Sequence, residues 1–102
     1  MACYFVPVNA DDRDRKQAWK ARQRAAARAA FPLSDAEFQA MFDFVDGEVA
    51  EHGCDDTRRL TQGWLERRRI PSDAVIAWLD DTGGYCDCEV IANSLDHWET
   101  NR

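Results

Sequence analysis

Residues 83–94 read GGYCDCEVIANS, and the fold depends on whether Tyr85–Ile91 is a strand or the start of a helix. Read with a period of two, Cys86, Cys88 and Val90 share one face, with Tyr85, Asp87, Glu89 and Ile91 on the other. Read with a period of 3.6, Val90, Ile91, Ser94, Leu95 and Trp98 form one stripe from Glu89 onward. We take the first reading through Ala92, followed by a short helical or irregular tail. The partner strand is then CYFVPVN at residues 3–9, rich in aromatic and β-branched residues, with Pro7 confining it to an edge.

Between these ends the signals are helical. Residues 11–31 are alanine-rich and end at Pro32, with Asn9 as a cap and Asp11, Asp12 and Asp14 near the positive end of the helix. Ser34 and Glu37 form a capping box, and Leu33 can staple to Phe38. Phe38, Met41, Phe42, Val45 and Val49 then mark a core face, and Gly53 ends the helix. Asp55, Asp56 and Thr57 are cap candidates for a third helix burying Leu60, Trp64 and Leu65. A fourth carries Val75, Ile76, Trp78 and Leu79 and closes at Gly83-Gly84. The expectation is one α+β domain over residues 1–102, mainly helical, with three to four helices on a two-stranded sheet from the N- and C-terminal segments.

The 102 residues carry a net charge of −6. Residues 11–31 hold seven basic and three acidic side chains, a net of +4, which leaves −10 on the rest. An acidic body with one basic segment argues against a general nucleic-acid binder. Lys20, Arg24 and Arg28 recur every four residues, so contact through this helix stays as an alternative. No segment reaches the roughly 20 apolar residues of a membrane span, and MACYFVPV is too short and lacks the basic lead of a signal peptide. The chain is expected in the cytoplasm, where cysteines are thiols or metal ligands rather than disulfides.

Four cysteines are present, Cys3, Cys54, Cys86 and Cys88. One reading is a structural zinc held by Cys54, Cys86 and Cys88, with His52, Asp55, Asp56 or Cys3 as fourth ligand. Its spacing is not the paired Cys-x-x-Cys of a zinc ribbon. The competing reading is core packing, since free cysteine behaves as a small buried hydrophobe. A thiol- or metal-dependent enzyme or redox sensor at Cys86 and Cys88 is a further alternative, opposed by the negative charge of Asp55, Asp56 and Asp87. No Gly-x-Ser-x-Gly elbow or phosphate-cradling glycine loop occurs. His97 falls in a polar tail, Asp43, Asp46, Glu48 and Glu51 suit a solvated face of the second helix, and Trp98 is a candidate to touch a partner. The residues therefore favour a non-enzymatic interaction or accessory module whose partner and oligomeric state are left open.

GGYCDCEVIAN, preceded by HGCDDTRRLT, resembles a small bacterial domain-of-unknown-function family, number 2695, over about residues 38–94. The family pattern has a GCDHT-like stretch before a helix, a second helix, and an ending close to GGYCDCEVLANV. This chain departs at Asp56, where histidine is frequent. If that histidine is a ligand in the family, His52 would have to replace it here. The resemblance implies a domain boundary and two cysteine sites, and brings no activity with it.

Overall fold

The computed structural model of the chain describes residues 5–102, with side chains from residue 13 onward. Cys3 and the first residues of the expected N-terminal strand lie outside the described residues. The expected α+β fold is corrected to an all-helical one, because no strand occurs among the described residues.

Two compact units divide the chain. The first holds helix α1, Phe5–Ala29. It begins well before the expected start at Asp11 and takes in residues 5–9 of the segment read as a strand. Pro7 is tolerated because it falls in the first turn, where backbone N–H groups have no intrahelical partner to lose. Asp11, Asp12 and Asp14 therefore lie within the helix, and its first turn carries no acid. From Arg13 to Ala30 the side chains are exposed apart from half-buried Ala27, and Trp19 is 56% exposed.

The second unit begins at Phe31 and contains α2 (Asp35–His52), α3 (Arg59–Arg67) and α4 (Asp73–Asp81). A continuous C-terminal helix follows, made of α5 (Asp87–Glu89), a π turn (Val90–Ser94) and α6 (Leu95–Asn101). Helix α2 starts as its sequence predicts. The Glu37 N–H donates to Ser34 Oγ at 3.1 Å and the Ser34 N–H to Glu37 Oε1 at 3.0 Å. These bonds, backbone first, hold the Glu37 carboxyl below the usual carboxylate range. A depressed carboxyl stabilises the fold at neutral pH and loses that contribution as pH falls through its folded value. Ser34→Ala should cost about 1 kcal/mol at neutral pH and flatten the stability-versus-pH curve on the acid side, checked by urea melts from neutral to acid pH.

One core cluster is drawn from every helix of this unit. Phe38, Met41, Phe42 and Val45 come from α2, Trp64 and Leu65 from α3, and Val75, Trp78 and Leu79 from α4. Val90 and Trp98 complete it from the C-terminal helix. Phe38 lies at its centre, with ring centroids 4.8 Å from Trp78, 5.6 Å from Phe42 and 5.7 Å from Trp98. Such ring contacts add about 0.5–1.5 kcal/mol each beyond area burial. Trp98, expected at a partner surface, is instead fully buried. Its Nε1–H donates to Asp35 Oδ1 at 3.1 Å, and Arg102 lies over its ring. His97, expected in solvent, is half-buried with its ring edge-on to Trp78 at 5.9 Å.

The strand expected at Tyr85–Ala92 is replaced by helix because the 3.6 period dominates there. Asp87, Val90, Ser94 and Trp98, spaced three, four and four residues apart, are all buried. In an alternating strand Cys88 would face inward with Val90, and here it is exposed.

Candidate functional site

The two halves of the family-like signature meet where the α2–α3 turn faces the start of the C-terminal helix. Gly53 stops α2 with its N–H on Val49 O at 2.8 Å, and Cys54 follows. Asp55 then organises the turn. Its Oδ1 accepts from the Thr57 hydroxyl at 2.5 Å and the Thr57 N–H at 3.1 Å, and its Oδ2 accepts from Arg59 Nε at 3.1 Å. The Thr57 hydroxyl above all, then the Thr57 N–H and Arg59, hold its carboxyl below the ordinary range. Asp56 adopts φ +67°, in the left-handed region that Asp, Asn and His enter more readily than other non-glycine residues.

Of the local cap candidates only Thr57 takes a backbone donor of α3, its hydroxyl oxygen accepting the Arg59 N–H at 3.2 Å. Arg58 is its N-cap residue and provides no side-chain cap bond. The carboxylate comes from Asp87, which is almost fully buried. Its Oδ2 accepts the Leu60 N–H at 3.0 Å, and its Oδ1 accepts the Thr61 N–H at 3.1 Å and the Thr61 hydroxyl at 2.8 Å. The Asp87 N–H in turn donates to Thr57 O at 2.9 Å. A carboxylate is well suited to this place, since it takes up orphan donors at the positive end of a helix.

The Gly-Gly turn is fixed from the other side. The Gly84 N–H bonds Leu79 O at 2.7 Å and the Gly83 N–H bonds Asp80 O at 3.4 Å, a Schellman closure of α4 with Gly83 at φ +81°. Asn93 Nδ2 donates to Gly83 O at 3.0 Å, and the Thr82 and Ser94 hydroxyls share a hydrogen bond at 2.7 Å. Arg58 Nη1 reaches both Asp80 Oδ1 at 2.7 Å and Gly84 O at 3.3 Å.

Beside Asp87 the three cysteines come together as free thiols: Cys86 buried, Cys54 half-buried, Cys88 exposed. The Cys88 N–H donates to Cys54 Sγ at 3.4 Å, and Cys86 Sγ–H donates to Glu89 Oε1 at 3.6 Å. The Cys88 N–H above all, then the Asp56 N–H and the thiols of Cys88 and Cys86, pull the Cys54 thiol below its ordinary value despite its partial burial. Cys88 moves the other way. The sulfur of Cys54 first, with partial burial and the charges of Cys54, Cys86 and Asp56, pushes it up to about 11. At Cys86 the Glu89 N–H favours the thiolate, but burial, Cys54 and the Glu89 carboxyl together outweigh it and hold the thiol up.

The negative charge expected to oppose a thiolate is largely committed elsewhere. Asp87 is turned into α3 and Asp55 is paired with Thr57 and Arg59. No group of three His, Cys, Asp or Glu side chains that could hold a metal ion occurs among the described residues. His52, the expected fourth ligand, is exposed on α2, with Nε2 3.7 Å from Glu48 and 3.9 Å from Glu51. Lys20, Arg24 and Arg28 lie on α1, exposed. The residues that sequence reading missed are Asp87, Thr61, Asn93 and Ser94. The only local hint was an acid enclosed by two cysteines.

The family described as "Protein of unknown function (DUF2695)" matches residues 41–93. The "Uncharacterized protein Mb2294" of Mycobacterium bovis is 33% identical over 87 residues, covering 85% of this chain and 88% of the relative. The "Uncharacterized protein Rv2271" of Mycobacterium tuberculosis is similar to the same extent. No solved structure matches. No helix among the described residues is long and apolar enough to cross a membrane.

Proposed function

This chain belongs to the DUF2695 family, and from that premise we propose that it is a cytoplasmic, non-enzymatic accessory module that binds an acidic protein partner through α1. The observation that supports this reading is the use made of the signature's polar groups. Asp87, Asn93 and Ser94 have their hydrogen bonds satisfied in closing α3 and α4. No buried side-chain nitrogen or oxygen among the described residues lacks a partner. A catalytic site keeps such groups aimed at substrate, whereas here they hold helices together. Helix α1 carries Lys20, Arg24 and Arg28 at four-residue intervals, with Trp19 exposed next to them, and Trp and Arg are the residue types that dominate protein interfaces.

The test places a photo-crosslinking amino acid at position 24 of the full chain in bacterial cells, with position 46 on α2 as the comparison. Protein adducts concentrated at position 24, and lowered about tenfold by Trp19→Ala, are the expected result. Equal labelling from both positions, or adducts formed with nucleic acid, would overturn the reading.

A further inference from the structure

The geometry points to Cys54 as a site of oxidation by hydroperoxides, with Cys88 as the thiol that resolves it into a Cys54–Cys88 disulfide. This goes beyond the accessory role proposed above and does not depend on it.

The inference stands on the placement of three thiols. Cys54 lies in the α2–α3 turn and Cys86 and Cys88 lie 32 and 34 residues further along, yet the backbone N–H of Cys88 reaches the Cys54 sulfur at 3.4 Å. The three differ in surroundings. Cys54 is half-buried and receives the Cys88 N–H at 3.4 Å. Cys86 is buried and already donates to Glu89. Cys88 is exposed, and its own backbone touches the Cys54 sulfur, so it is the thiol free to approach it. The Cys88 N–H, 3.4 Å from the Cys54 sulfur, favours negative charge there. One sulfur held by a backbone N–H, with an exposed thiol on the residue that supplies that N–H, is the placement of a peroxide-reactive cysteine beside its resolving partner. The charged groups around it are Asp55, engaged with Thr57 and Arg59; Asp87, engaged with α3; Glu89, engaged with Cys86; and Asp56, which acts chiefly on Cys88.

In the first step the Cys54 thiolate attacks the terminal oxygen of the hydroperoxide. An S–O bond forms, the O–O bond breaks, and the departing alkoxide takes a proton from water and leaves as the alcohol. Sulfur is oxidised to the sulfenic acid and the peroxide is reduced. In the second, the Cys88 sulfur attacks the Cys54 sulfur, the S–S bond forms and the S–O bond breaks. The Cys88 proton leaves with the hydroxyl group as water. A reducing dithiol reverses the change. It attacks the exposed Cys88 sulfur, since Cys54, the more acidic thiol, is the better leaving group.

The experiment treats the reduced, full-length chain with stoichiometric hydrogen peroxide, with and without dimedone, and maps the products by peptide mass spectrometry. Wild type should give the Cys54–Cys88 disulfide, and Cys88→Ser should instead accumulate a dimedone adduct at Cys54. Alkylation of the folded, reduced protein should label Cys54 about tenfold faster than Cys86. Oxidation that begins at Cys86 or Cys88, thiols that react only after denaturation, or stoichiometric zinc shielding all three would each overturn the assignment. Cys88 is exposed, so its serine variant tests the chemistry without disturbing the core.

Discussion

Replacing Asp87 with alanine is expected to destabilise the protein by about 3–4 kcal/mol, the sum of a lost helix cap and of buried donors left without an acceptor. Three donors on α3 converge on this one carboxylate, and it is buried, so water cannot take over. At 102 residues the whole stability is on the order of 5–15 kcal/mol, so the loss is a large fraction of it. The melting temperature should fall by about 15 °C or more. Asp87→Asn keeps an acceptor oxygen but turns an amide towards N–H groups, and should recover less than half of the loss. The decisive measurement is a double-mutant cycle with Thr61→Val in urea. A coupling of at least about 1 kcal/mol is expected for groups in one network. Additive effects would mean that Asp87 acts other than through α3.

Gly84→Ala should cost about 2–3 kcal/mol through overpacking. A Cβ at this buried position would run into Ser94 Oγ and press on Val90 Cγ2 at 3.2 Å and Leu79 Cδ2 at 3.4 Å. Neither side can retreat easily, because Ser94 is fully buried and bonded to Thr82, and Leu79 lies in the core. The backbone itself is not at fault, since the left-handed position of the turn is Gly83. Removing the obstructing oxygen tests this. Ser94→Ala should be mildly destabilising alone and should restore part of the stability when added to Gly84→Ala. A double variant no better than Gly84→Ala would place the strain elsewhere.

These two positions show where the sequence could and could not be read. Helix α2 was legible because its start is written locally, in Ser34 and Glu37 three residues apart, and its core face repeats over several turns. The run from Cys86 to Val90 was not, because five residues fit either period, and the alternation of Tyr85–Ile91 was given more weight than the helical stripe that continues through Ser94 to Trp98. The cap of α3 was only partly legible, for the opposite reason. Thr57 takes the Arg59 N–H, but Asp55 and Asp56, which have the right chemistry in the right place, take no backbone donor of the helix, and a carboxylate from 26 residues downstream takes those of Leu60 and Thr61. The cysteine site was half legible: Cys54, Cys86 and Cys88 do converge, although Cys86 and Cys88 do so from a helix start and not from one face of a strand.

The distant cap also bears on how the chain acquires its structure while it is being made. Helix α3 has nine residues, fewer than the roughly 12–15 an isolated helix needs to persist in water. When residues 59–67 leave the ribosome, the carboxylate that closes their first turn is still enclosed within it. Folding of the second unit must therefore wait for its last quarter, and fragments ending before residue 87 should stay open to proteases and chaperones. A nascent chain of this kind commits to its structure late and all at once.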